Sequence, residues 1–251
     1  MRDPHLSDRL RDLAVATSLL TRLPIHLPAA AFDHGARSAW CWPVIGLLLA
    51  GLAGCVALIG QATGLAHEIS ALLGLFTLVV LTGAMHEDGL ADVADGFWGG
   101  HERGRRLDIM RDSRIGAYGV IALVLGLGLR AMALVSLGIF MIPGLFAAAA
   151  LSRAAMVVTM AALPHARRDG LSRATGRPSA MIATIACAIA LVVALLLTGK
   201  AALPAILAVA VATAGAMHVA RRKIGGQTGD VLGATQQLSE ITALLALSAA
   251  L

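Results

Sequence analysis

The sequence predicts an all-α, polytopic membrane bundle: a single domain over residues 1–251 with about seven transmembrane helices and an N-terminal amphipathic segment. Three observations predict it. Hydrophobic residues make up 58% of the chain and charged residues 14%, with mean hydropathy +0.80. A soluble domain carries about 25% charged residues, and surface-to-volume scaling gives a chain of this length nowhere to hide so much apolar surface. Long apolar runs recur along the chain, and the basic residues between them alternate from loop to loop.

Taken in order, the first twenty residues hold Arg2, Asp3, Asp8, Arg9, Arg11 and Asp12. They lack the unbroken apolar core of a cleavable signal peptide. Residues 8–23 read instead as a surface helix, with Leu10, Leu13 and Leu20 on an apolar face and Arg9 and Asp12 elsewhere. Uncharged runs follow at 40–60 and 69–85. The run 115–142 holds only Arg130, and 144–163 only Arg153. The runs 180–198 and 201–220 are clean, and 231–251 holds only Glu240. A crossing helix needs ~20 mostly apolar residues, so these are seven candidate spans. Six spans with a half-inserted last helix fit almost as well.

Orientation follows from Lys and Arg. The N-terminal segment, 86–114, 164–179 and 221–230 are basic, while 61–68 and the 143–144 turn have no basic residue and 199–200 has Lys200 alone. Seven spans with a cytoplasmic N-terminus place every strongly basic loop in the cytoplasm. The expected location is a bacterial inner membrane, with the chemistry on its cytoplasmic face and lipid as a partner. The net charge of +5 does not imply nucleic acid, because aromatics are scarce and no basic-aromatic patch occurs. Cys41, Cys55 and Cys187 lie in apolar runs without metal or disulfide spacing and read as small core residues. The sequence is compatible with a homo-oligomer.

Seven of the acidic residues crowd between positions 87 and 112: Glu87, Asp88, Asp92, Asp95, Glu102, Asp108 and Asp112. On a helix, Asp88, Asp92 and Asp95 share one face, and Asp108 and Asp112 form a second i,i+4 pair. Stacked like charges repel, and a divalent cation with hard oxygen ligands offsets that repulsion. The expected cofactor is Mg²⁺, on Asp88, Asp92, Asp95, Asp108 and Glu87. The competing reading is a solvated acidic face balanced by Arg103, Arg105, Arg106, Arg111 and Arg114. Carboxylates holding Mg²⁺ beside arginines suit phosphoryl transfer, in which arginines grip non-bridging oxygens. Without phosphate ligands the same cluster is a cation site in a transporter. His86 reads as a supporting residue rather than a ligand.

The run 86–96, HEDGLADVADG, resembles the signature of the cobalamin 5′-phosphate synthase family, the adenosylcobinamide-GDP ribazoletransferases. IMRDSRIG at 109–116, GGQTGDVLGA at 225–234 and TRLP at 21–24 are similar to further blocks of that family, in family order. The resemblance implies a polytopic, Mg²⁺-dependent transferase. It joins adenosylcobinamide-GDP to α-ribazole or its 5′-phosphate, releases GMP, and so completes cobalamin or its 5′-phosphate. A looser similarity links Asp92, Asp95, Asp108 and Asp112 to the CDP-alcohol phosphotransferases, in which the first acids hold metal and the last is the base. On that analogy Asp92, Asp95 and Asp112 are catalytic, with Asp112 the expected base. Arg111, Ser113, Arg114, Arg153, Thr228 and Asp230 are expected to bind substrate. Arg153 is weighed equally between phosphate and an acidic partner, and Asp230 against a helix-capping role. A lipid-type CDP-alcohol phosphotransferase and a membrane cation transporter are the alternatives.

Overall fold

A computed structural model describes residues 4–251; Arg2 and Asp3 lie outside it, as do the side chains of His5 and His34. The described chain is helical: α1 (Pro4–Leu20), α2 (Trp42–Ala62), α3 (His67–Thr82), α4 (Met85–Gly99), α5 (Arg103–Ile109), α6 (Ala117–Ser136), α7 (Met141–Ala162), α8 (Leu171–Thr175), α9 (Ala180–Thr198), α10 (Ala202–Ile224) and α11 (Gly229–Ala250). A 3₁₀ segment, Ala29–Cys41, leads into α2.

Among the described residues, four helical runs are long and apolar enough to cross a membrane: Gly35–Ala62, Ala117–Ser136, Gly138–Ala162 and Ala180–Ile224. The bent pair α3–α4 makes a fifth if taken as one. The sequence count of seven differs for physical reasons. Ala180–Ile224 is one 45-residue helical run that Gly199, at φ 54°, divides into α9 and α10. Helix α11 carries Gln236, Gln237 and Glu240 and is too polar to qualify by composition.

The core centres on α7, which packs on α2, α9 and α11. Its Ala147–Ala150 stretch is fully buried. Small residues let backbones approach, the usual device where lipid offers no hydrophobic drive between helices. A Cβ on Gly46 of α2 would meet the Ala149 carbonyl oxygen at 2.6 Å, so this close approach requires glycine.

Two expectations change here. Helix α1 exists, but it turns Val15, Ala16 and Leu20 toward the protein, while Leu10 is exposed. Asp12, expected on the polar side, is buried and accepts from Trp40 Nε1 at 3.0 Å. Of the three free cysteines only Cys41 is in the core; Cys55 is exposed and Cys187 half-buried.

The feature that places the site is the break after α3. Gly83 and Ala84 both adopt left-handed backbone, and Ala84 is the only non-glycine with positive φ among the described residues. The two helices meet at 83°. Helix α3 is apolar beyond Glu68 in its first turn, and Glu87, Asp88, Asp92 and Asp95 ride on α4, past the bend.

Candidate active site

Helix α4 lies against α11 and α6. Its contact with α11 is made by glycine. A Cβ on Gly89 would meet the Asp230 carbonyl oxygen at 2.8 Å, and one on Gly233 would lie 3.3 Å from His86 Cα. The two signature blocks, 140 residues apart in sequence, are thereby one structural unit.

Around α4 its four acids go to three different places. Glu87 is buried and accepts from Arg130 at 2.6 Å and from Gln237 at 3.0 Å. Arg130 also pairs with Glu240 at 2.6 Å, and Glu240 with Arg153 at 2.6 Å. Arg153 is thus committed to an acidic partner in the interior, away from the polar cavities, and Glu87 is likewise held by an arginine.

Asp88 lines a polar cavity of about 190 Å³ with Asp230, Arg167, Asp169, Arg173 and Thr228. Asp92, half-buried one turn along α4, feels both Asp88 and Asp230. Partial desolvation, followed by those two charges, pushes its carboxyl up to about 7, with Arg167 pulling the other way. Burial also raises Asp230, against the pull of Arg167, whose guanidinium lies 3.2 Å away.

Asp95 is the third case. Its two oxygens accept from Gly116 N at 2.7 Å and Gly119 N at 2.9 Å, so it caps the start of α6. A carboxylate is favoured there by the unpaired amides of a helix N-terminus. It faces a different, open groove of about 430 Å³, shared with Asp112 and Arg114.

The second helix differs from expectation. Helix α5 is only seven residues and ends at Ile109, so Asp112 lies in the turn beyond it and not on one helical face with Asp108. Asp108 is exposed and lines neither cavity. Asp112 is gripped by Arg114 at 2.6 Å, which lowers its carboxyl to about 2. Arg111 pairs with Asp169, and both are exposed. Ser113 is exposed in the same turn. No cluster of three or more His, Cys, Asp or Glu side chains close enough to hold a metal ion is found among the described residues.

The glycine-rich loop before α11 is held in place. Gln227 exchanges backbone hydrogen bonds with the 164–166 segment, and its side chain meets His165 Nδ1 at 2.9 Å and Ser172 Oγ at 2.5 Å. Thr228 is the N-cap of α11 and accepts from Val231 N. Thr228 takes the capping role that had been weighed for Asp230, and Asp230 is left facing the cavity.

The residues that sequence reasoning missed come from the 164–179 loop. Arg167 and Arg173 had counted there only as topology signals, and Asp169 not at all. Arg103 and Arg106, expected only to balance charge, instead donate to backbone carbonyls of Ile224, Ala166, Gly100 and Lys223 at 2.7–3.0 Å. They tie α5 to the ends of α4 and α10 and to the 164–179 loop.

With this geometry in view, the comparisons are decisive. A family model described as cobalamin-5-phosphate synthase matches residues 12–248. The chain belongs to the cobalamin-5-phosphate synthase family. It is 44% identical to an adenosylcobinamide-GDP ribazoletransferase of Bradyrhizobium diazoefficiens, over 96% of this chain and 94% of the relative. It is 45% identical to the one of Azorhizobium caulinodans, over 94% of each. To that of Brucella suis it is 38% identical, over all of this chain and 99% of the relative. No solved structure matches. Family membership makes the chain a transferase of cobalamin synthesis, and the question becomes which of the two acid-lined cavities does the transfer.

Proposed function

We propose that the chain joins adenosylcobinamide-GDP to α-ribazole or α-ribazole 5′-phosphate and releases GMP, late in cobalamin biosynthesis. The observation that carries the site assignment is the cavity shared by Asp88, Asp230 and Arg167, with Asp92 beside it. The family's first and third signature blocks meet there, opposite a basic loop.

The donor set suits Mg²⁺. It is built of hard carboxylate oxygens with like charges uncompensated, and Mg²⁺ takes one or two carboxylates plus substrate phosphates. Asp88 and Asp230 would hold it. When bound, the ion supplies neutralisation of diphosphate charge and of the leaving GMP oxygen. Arg167 and Arg173 bind non-bridging oxygens. Arg111 pairs with Asp169 of this cavity and Arg114 lines the open groove with Asp112, both in exposed pairs that cost little to break. A ribazole hydroxyl attacks the cobinamide-linked phosphorus, the bond to the GMP oxygen breaks, and a carboxylate takes the hydroxyl proton. We assign that proton to Asp92, which lies near Asp88 and Asp230 with no ion-pair partner among the described residues, rather than to Asp112, which Arg114 grips at 2.6 Å. A useful base has a pKa near the working pH. A carboxylate at about 2 under an arginine is a poor acceptor.

In this reading the chain crosses the bacterial inner membrane seven times with its N-terminus and site in the cytoplasm. The lipid CDP-alcohol transferase and the cation transporter are set aside by family membership.

The test is turnover by detergent-purified protein given adenosylcobinamide-GDP, α-ribazole and Mg²⁺. GMP is expected in step with the corrinoid product, only with acceptor present, and not in EDTA. GMP release unaffected by EDTA removes the metal. Labelling of residue 100 from outside the cell removes the topology.

A further inference from the structure

Beside the polar cavity lies a smaller apolar one. Its walls include Trp42, Met85, His86, Met156, Met160 and Leu232. It shares Ser172 and Gly229 with the polar cavity, so the two adjoin. Two of its wall groups are out of place in an apolar lining. Trp42 is 4% exposed and its indole Nε1 has no partner; His86 is 1% exposed and its Nε2 has none either. An unpaired buried N–H costs ~1–3 kcal/mol, and native interiors pair almost all such groups.

An elongated ligand lying across both cavities satisfies every wall. Its charged or hydroxylated end meets Asp88, Arg167 and Asp230. Its other end is flat and apolar, with one lone pair for Trp42 Nε1, which can only donate. Methionine sulfurs pack well against aromatic rings. The choice between the two substrates' bases follows from their polar edges. The lining also carries Ser172 and Thr175, but their hydroxyls already donate to Gln227 and to the Leu171 carbonyl, so guanine, with several N–H donors and a carbonyl, finds fewer partners here than it needs. The benzimidazole of ribazole is apolar except for one free ring nitrogen. His86 Nε2, donor or acceptor according to tautomer, is left for a ribose hydroxyl.

Resting on the ribazole reading above, we propose that this cavity is the subsite for the benzimidazole base of the acceptor, and that Trp42 donates to its ring nitrogen. Trp42 and His86 are thereby acceptor-binding residues. The assignment also gives a physical reason for the His-Glu-Asp order: successive residues of α4 face the acceptor base, the buried arginines and the cation.

The experiment compares wild-type protein with Trp42→Phe, which keeps the ring and removes the donor. The dissociation constant for α-ribazole, measured calorimetrically without Mg²⁺ or corrinoid, should rise about tenfold, the size expected when one buried acceptor loses its donor. The KM for α-ribazole should rise with it, while the KM for adenosylcobinamide-GDP stays put. Unchanged ribazole affinity, or a rise confined to the corrinoid KM, overturns the subsite. If Trp42→Phe fails to fold, the wild-type protein carries the test. Free 5,6-dimethylbenzimidazole should quench its tryptophan fluorescence saturably and be displaced by α-ribazole; absence of either overturns the proposal. A wild-type protein that binds α-ribazole this way yet releases no GMP would instead count against the transfer reaction.

Discussion

Helix α4 shows how one short stretch of acids is put to two uses. On its inner side Glu87 joins Arg130, Glu240 and Arg153 in a network of two cations and two anions, all nearly inaccessible and paired at 2.6 Å. On its outer side Asp88 and Asp92, with Asp230, carry three anions against one close cation, Arg167. The inner set balances its charge, two against two. The outer set is under-neutralised, with Arg167 paired to Asp230 alone. Where charge balances, the residues hold helices together; where it does not, the proposed function places the ligand. Neighbouring positions 87 and 88 fall on opposite sides of that line because consecutive helical residues point about 100° apart.

Breaking the inner set should have the largest effect on folding. Glu240→Ala leaves Arg130 and Arg153 short of a partner, and an uncompensated buried charge costs ~3–5 kcal/mol. Loss of folded, detergent-stable protein in a thermal melt is the expected outcome. Ready folding of that variant would mean that the inner face is not a closed network. The outer set should behave in the opposite way. Asp88→Asn and Asp92→Asn should each lower GMP release at least ~100-fold, with an unfolding midpoint equal to or above that of wild type, since each removes a like charge. Asp95→Ala lies between: loss of its cap on α6 should cost about 1 kcal/mol, visible as a modest drop in midpoint. Wild-type stability in that variant would remove the capping role.

The comparison also marks what was legible in the sequence. The all-helical class, the crowded acids and the shared face of Asp88 and Asp92 follow from composition and local periodicity. So does the warning that Arg130, Arg153 and Glu240 stand alone in apolar runs, where a charge must find a partner. Which partner each finds was not legible. Glu87 and Arg130 are 43 residues apart and Arg153 and Glu240 are 87 apart, and helix periodicity says nothing about such distances. The helical face expected to join Asp108 and Asp112 is missing for a local reason: α5 stops at Ile109 before a second turn brings positions 108 and 112 together. Arg167 gave only a charge-count signal, and its place opposite Asp230 depends on the Gln227 backbone pairing across two loops.

A subtler difference concerns pH. Asp92 is raised toward 7 in the metal-free protein, above the ordinary carboxylate value, so the folded state holds a proton that the unfolded state has released. The folded state therefore binds more protons between the two values, and stability should fall as pH rises through that window. In EDTA the unfolding midpoint should decline between about pH 4 and 7. Asp92→Asn should flatten the decline, and Mg²⁺ should suppress it by compensating the anion. A midpoint that rises with pH over this window in EDTA, and does so equally in Asp92→Asn, would show that the outer acids are not under-neutralised.

The smallest effects should come from the exposed rim, which also decides the base. Asp112 and Arg114 neutralise each other in the open groove beside Asp95, so neither Asp112→Asn nor Arg114→Ala should move the unfolding midpoint. If Asp92 takes the hydroxyl proton, Asp112→Asn lowers kcat less than about tenfold and leaves the acid limb of the kcat profile in place, whereas Asp92→Asn abolishes that limb. Arg114→Ala then raises the KM for adenosylcobinamide-GDP more than it lowers kcat, because a rim arginine acts on bound ground state and transition state alike. The reverse result is as informative. A kcat collapse in Asp112→Asn with an unaltered KM would place the reacting hydroxyl in the Asp95 groove and move the base there. The site would then span both sides of Asp92, with Arg114 releasing Asp112 once a phosphate takes its place.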